Sequence, residues 1–178
     1  LPVRLQGAAV LKHMRHIISI LLQNEAGALA RVANLFSSRG YNIESLNVAP
    51  TADETVSRLT LVTSAPDNVI DQITKQLGKL VDVVHIADMT SSDHIERELA
   101  LFKLQVGSGG GDKLAAALKQ FDARVLNDQG GHYTVEVVGG SQDIDRFLKR
   151  IAGISDVVTV VRSGAMAVTR GAAGEARG

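Results

Sequence analysis

Residues 17–48 read IISILLQNEAGALARVANLFSSRGYNIESLNV, and the change of period inside them decides the fold. The run 17–22 is apolar and β-branched, as in a buried strand. Asn24, Glu25, Ala26 and Gly27 interrupt it with turn-forming chemistry. From Ala28 the period becomes helical: Leu29, Val32, Ala33 and Phe36 fall on one face, and Gly40 stands where a helix C-terminal cap belongs. Residues 42–49 return to a strand pattern, and a loop at 50–54 joins them to a second strand at 56–63 as an antiparallel hairpin.

Working outward, Pro66 and Asp67 open a second helix whose inward face is Val69, Ile70, Ile73 and Leu77, with Gly78 near its end. Residues 81–87 supply a fourth strand. The order βαββαβ is the split arrangement in which two helices cover one face of a four-stranded antiparallel sheet. Residues 91–97 are polar and aperiodic, which predicts a linker. The same order then recurs. Residues 99–106 alternate, with Ala100, Phe102, Leu104 and Val106 on one side and Lys103 and Gln105 on the other. After the glycine-rich 107–111, Asp112 is the expected cap of a helix bearing Leu114, Ala115, Leu118 and Phe121. Strands at 123–127 and 132–138 flank the turn Gln129-Gly130-Gly131. A last helix shows Ile144, Phe147, Leu148 and Ile151, and 157–161 closes the sheet. The chain therefore reads as α+β, two ferredoxin-like βαββαβ domains at 14–90 and 98–162. Residues 163–178, rich in Gly and Ala, are expected to form a mobile tail. Residues 1–13, with Arg4 and Lys12 and no acid, read as an extension, an appended remnant or a transit-peptide fragment ahead of a natural start at Met14.

The chain has 178 residues, 45% hydrophobic and 21% charged, within the range of ordinary globular domains. Its 19 basic and 19 acidic residues leave no long-range field to favour nucleic acid or an anionic membrane. No apolar run approaches the ~20 residues a spanning helix needs. Cysteine is absent, which excludes disulfides and thiolate chemistry and makes the cytoplasm the default compartment. Domains this small gain from burial against a partner, and a sheet covered on one face leaves a face or an edge for an isologous contact, so a dimer is expected.

Catalytic chemistry is not visible. His13, His16, His85, His94 and His132 lack the paired spacing of a helical metal site, and no nucleophile motif is present. Although Gly107 to Lys113 offers glycines before a helix, Asp112 precedes the lysine and Leu114 stands where a phosphate loop needs a hydroxyl. With four Phe and two Tyr in all, the aromatic platforms of an RNA-recognition fold are missing as well.

Asn24 to Leu29 is the stretch with functional content, because a turn running into a helix presents free N–H groups and the positive end of the helix dipole to a carboxylate. The same residues also suit a plain tight turn. Two stretches decide for function by resemblance. Residues 24–32, NEAGALARV, and 36–48, FSSRGYNIESLNV, resemble the ACT domain of acetolactate synthase small subunits. Residues 76–83, QLGKLVDV, then Glu96-Arg97-Glu98-Leu99 and Arg162-Ser163-Gly164, continue the pattern to about Arg170. The 107–111 run is more glycine-rich than that pattern.

The resemblance implies an ACT dimer with two effector sites at its interface. In each, Asn24, Gly27, Ala28 and Leu29 offer backbone donors to an amino-acid carboxylate. Tyr41, Asn42 and Ile43 of the neighbouring chain complete the pocket. Asn42 has an amide oxygen for the ligand ammonium, and Leu29 and Ile43 an apolar surface for a branched side chain. Glu25 either adds negative charge for the ammonium or is an ordinary loop residue. The effector implied is valine, or else leucine or isoleucine. By the same resemblance the chain is non-catalytic and holds no cofactor or metal. It activates a catalytic large subunit that carries thiamine diphosphate, magnesium and FAD, and it confers valine feedback inhibition in branched-chain amino acid biosynthesis. The competing reading is a free-standing amino-acid sensor serving another enzyme or a transcription factor.

Overall fold

The computed structural model describes residues 14–171, so the extension assigned to 1–13 and the end of the expected tail lie outside the described residues. The first unit runs β1 (Met14–Gln23), α1 (Ala28–Ser37), β2 (Ile43–Pro50), β3 (Val56–Ala65), α2 (Asp67–Leu77) and β4 (Val83–Asp88). Its sheet has the order β2-β3-β1-β4, with every described pairing antiparallel. The second unit repeats this with β5 (His94–Gln105), α3 (Gly111–Gln120), β6 (Arg124–Gln129), β7 (His132–Gly139), α4 (Ser141–Ala152) and β8 (Asp156–Arg162) in the order β6-β7-β5-β8. The expected pair of ferredoxin-like domains is the architecture observed.

Alternation along the inner strands builds each core. Ile18, Ile20 and Leu22 of β1 meet Leu59 and Leu61 of β3 on the face covered by Val32 and Phe36 of α1 and by Ile70, Ile73 and Leu77 of α2. In the second unit Ala100, Phe102 and Leu104 do the same beneath Leu114, Ala117, Ile144, Phe147 and Ile151. The helix ends follow local chemistry. In α2, Asp67 sits in the first turn and Lys75 in the last, each favoured by the dipole. At α4 the Asp143 carboxylate accepts from the Gly140 N–H at 3.1 Å.

Several expectations need correction. Leu29 is 38% exposed, because Ala28 takes the inward place a turn before Val32. In α3 Ala117 is buried while Ala115 faces out, and Gly110 is the cap, so Asp112 lies inside the first turn. Two glycines of that run answer to local geometry. Gly109 holds φ +91°, and a Cβ on Gly110 would sit 2.7 Å from Val106 Cγ1.

The linker and the tail change most. His94 already belongs to β5, so much of 91–97 is strand, and 166–169 forms β9 (Met166–Thr169), which pairs antiparallel with residues 94–97. Ala165 and Ala167 pack with Ile17, Val62 and Met89 on the face of the first sheet that carries no helices. Residues 163–171 are thus not a free tail, and the polar character of 94–97 misled because Glu96 is paired with Arg15 across the domain junction.

Candidate functional site

The β1–α1 loop is tied on both sides. The Gln23 N–H donates to Asp82 O and the Asn24 N–H to Thr55 O, each at 2.8 Å. The Asn24 amide Nδ2 reaches Glu54 O at 3.0 Å, which turns this side chain toward the β2–β3 loop. Asn24, Glu25, Ala26 and Gly27 are exposed and Ala28 is buried. Gly27 adopts φ +88°, a left-handed conformation that glycine reaches without strain. No side chain caps α1; the Ala28 N–H donates to Glu25 O at 3.3 Å, while the next first-turn amides are ones a helix cannot satisfy internally.

Arg31, one turn into α1, lies across this loop. Its Nη1 would be 3.0 Å from a Cβ on Gly27. Its guanidinium forks onto Asp82, with Nε 2.5 Å and Nη2 2.8 Å from the two carboxylate oxygens. Asp82 is 3% exposed. The hydrogen bonds from Arg31 hold its carboxyl below the usual carboxylate range, and the same contact raises Arg31 above its ordinary value. Since Asp82 O also anchors Gln23, this pair braces the loop from beneath. Arg31 and Asp82 lie in the quoted stretches without any role, and no local sequence signal pairs them, since 51 residues separate them.

Tyr41, Asn42 and Ile43 follow the other end of α1. The Tyr41 N–H donates to Phe36 O, and Thr63 Oγ1 donates to Asn42 O at 2.7 Å. Tyr41 and Ile43 pack partly into the first core, and Asn42 is exposed. The 10 residues of α1 separate the two clusters by about 15 Å along its axis. Within one chain the structure brings Asn24, Glu25, Gly27, Ala28 and Leu29 together, and separately Tyr41, Asn42 and Ile43, but it does not join the two groups.

A groove of about 520 Å³ lies instead at the domain junction, between Ser45 and Leu46 of β2 and Glu98, Ser141 and Arg162 of the second unit. Arg15 forks onto Glu96 at 2.8 and 3.0 Å, and Arg162 onto Glu98 at 2.7 Å twice. Ser141 Oγ lies 2.6 Å from Glu96 Oε1 and 3.0 Å from Glu98 Oε2. Among the described residues no group of three or more His, Asp and Glu is arranged to hold a metal ion, and no helix is long and apolar enough to cross a membrane.

Comparison with known proteins accounts for both units. Residues 18–85 match the family described as "AHAS small subunit-like ACT domain", and residues 97–171 match "Small subunit of acetolactate synthase". The chain is 45% identical over 158 residues to the acetolactate synthase isozyme 3 small subunit of Escherichia coli, covering 89% of this chain and 97% of that protein. It is 39% identical over 159 residues to the acetolactate synthase small subunit of Mycobacterium leprae, covering 89% and 94%. The crystal structure of the small subunit from Thermotoga maritima aligns with a TM-score of 0.79 at 28% identity, over 89% of this chain and 99% of that one.

Proposed function

Because the chain belongs to the acetolactate synthase small-subunit family, we propose that it is the regulatory, non-catalytic subunit of that enzyme in branched-chain amino acid biosynthesis. It binds a separate catalytic large subunit, raises its activity and confers feedback inhibition by valine. Thiamine diphosphate, magnesium and FAD belong to that large subunit, and the assembly works in the cytoplasm.

The effector site is formed by two copies of the first domain, residues 14–90. One supplies Asn24, Glu25, Gly27, Ala28 and Leu29. The other supplies Tyr41, Asn42 and Ile43. What supports this reading is the uncapped start of α1 beside an exposed glycine-bearing loop. The gap left by α1 between the two clusters is also consistent with a pocket shared between chains. The exposure of Leu29, which the core does not use, suits an apolar contact to a branched side chain.

Calorimetric titration with L-valine tests the reading, using the parent chain and the Asn42→Ala and Gly27→Asp variants. Saturable binding that both variants abolish is the expected result, and it justifies reconstitution with the large subunit. No binding by the parent chain sinks the valine assignment.

A further inference from the structure

Arg162-Ser163-Gly164 has no part in the effector loop, yet this segment and its continuation hold the two domains together. Ser163 is anchored on β5: its N–H donates to Leu99 O at 2.9 Å, and its Oγ accepts from the Leu99 N–H at 3.1 Å. Two residues on, the Ala165 N–H donates to Ser45 Oγ of β2 at 2.9 Å. A longer bond of 3.4 Å runs from Asn47 Nδ2 to Ser163 O. Gly164 crosses β2 so closely that a Cβ would stand 2.7 Å from Ser45 Oγ and 3.6 Å from the Leu46 N and O, and its φ of +81° favours glycine independently. Ala165 is 1% exposed. The segment is a bridge with one foot on each domain.

What it grips is the strand that begins with Ile43. Regular alternation would put Ile43 and Ser45 on the same face of the sheet. The register of β2 against β3 shifts between these two residues, with Ile43 opposite Thr63 and Ser45 opposite Val62. This irregularity turns Ile43 to the helix-covered core and Ser45 to the other face, where Val62 packs with Ala165. Across one irregular step, the start of β2 is connected to the second domain on the opposite side of the sheet.

We propose that Ser45, Gly164 and Ala165 are positioning residues of a clasp that couples occupancy of the effector site to the placement of the second domain; this rests on the effector reading above. A ligand seated on Asn42 and Ile43 fixes the start of β2, and the Ser45 contact closes in response. The clasp does not touch the ligand.

Amide hydrogen exchange on the full chain, with and without saturating L-valine, tests it alongside calorimetry. In the parent, valine slows exchange at Ala165 and along β9 by about 5-fold or more, the low end of ordinary coupling between sites. Ser45→Ala still binds valine, weakened by no more than that factor since coupling is reciprocal, but loses the slowing along β9. Gly164→Ala, which opens the contact from the other side, gives the same result. Valine binding without slowing in the parent overturns the clasp and leaves the effector reading intact. So does full slowing in Ser45→Ala. A parent chain that binds no valine overturns both.

Discussion

Asp82 and Arg31 show at the scale of single residues how a loop is held. Removing the guanidinium leaves a carboxylate that is 3% exposed without its fork, and frees the turn whose backbone it anchors through Gln23. Arg31→Ala is expected to weaken valine binding severalfold while Asn24 and Gly27 stay in the chain, as read by calorimetry. The conservative Arg31→Lys does not restore it fully, because an ammonium cannot reproduce the bidentate contact. The Asp82 carboxyl lies below its ordinary value, so the stabilisation is complete at neutral pH and fades as pH falls below the ordinary aspartate value of about 3.9. The turn into a helix was legible in NEAGAL, since turn residues followed by a helical period leave few alternatives. Its brace was not, because Arg31 and Asp82 are far apart in the chain and only the fold brings them into contact.

At the scale of elements, burial ranks the packing. Phe147 of α4 is fully buried and meets Phe102 at 4.9 Å and Phe121 at 5.4 Å in edge-to-face contacts. Phe147→Ala is expected to cost about 3–5 kcal/mol in urea unfolding. β9 makes a different prediction. Truncation after Gly164 removes Ala165 and Ala167 from over Ile17, Val62 and Met89, and is expected to destabilise the chain by roughly 2–4 kcal/mol. It should also raise the fluorescence of a dye that binds exposed apolar surface. Unchanged stability and dye binding would mean that β9 contributes nothing to the fold. Helix and strand periods were readable wherever one face is buried and the other wet, as in α2 and α4. They failed at 94–97, where polar residues open the long strand β5, and at 166–169, where a four-residue strand has too little pattern to register.

For the whole molecule the decisive feature is the polar junction. Glu96 and Glu98 continue the same face of β5 as Ala100, Phe102 and Leu104, so the second core runs into a pair of carboxylates instead of ending in solvent. Burial alone would push the Glu98 carboxyl up, and the Arg162 and Ser141 hydrogen bonds outweigh it, leaving it below the ordinary range. Glu96 is lowered in the same way by Arg15 and Ser141 against its burial. Both groups therefore bind protons more readily unfolded than folded. Their stabilisation is present above the ordinary glutamate value of about 4.3 and is lost as pH falls through the lower folded values. A shallow loss of stability on acidification below about pH 4.5 is expected, and Glu98→Gln should flatten it. Arg162→Ala, which leaves Glu98 buried without its partner, is expected to cost about 3 kcal/mol, the low end for a broken buried pair because Arg162 is itself 34% exposed.

The sequence by itself determined the two βαββαβ units and the strands and helices that bear a core face, because each element depends on periods and turn chemistry among neighbouring residues; the family was legible through the resemblance of residues 24–32 and 36–48. Only the tertiary structure decided that Glu96, Glu98 and Arg162 form one junction with Arg15. It alone brought Arg31 to Asp82, and Ala165 to Ser45 at a separation of 120 residues. Contacts between chain-distant residues leave no periodic trace in the sequence, since their partners are chosen by the folded geometry and not by neighbours along the chain.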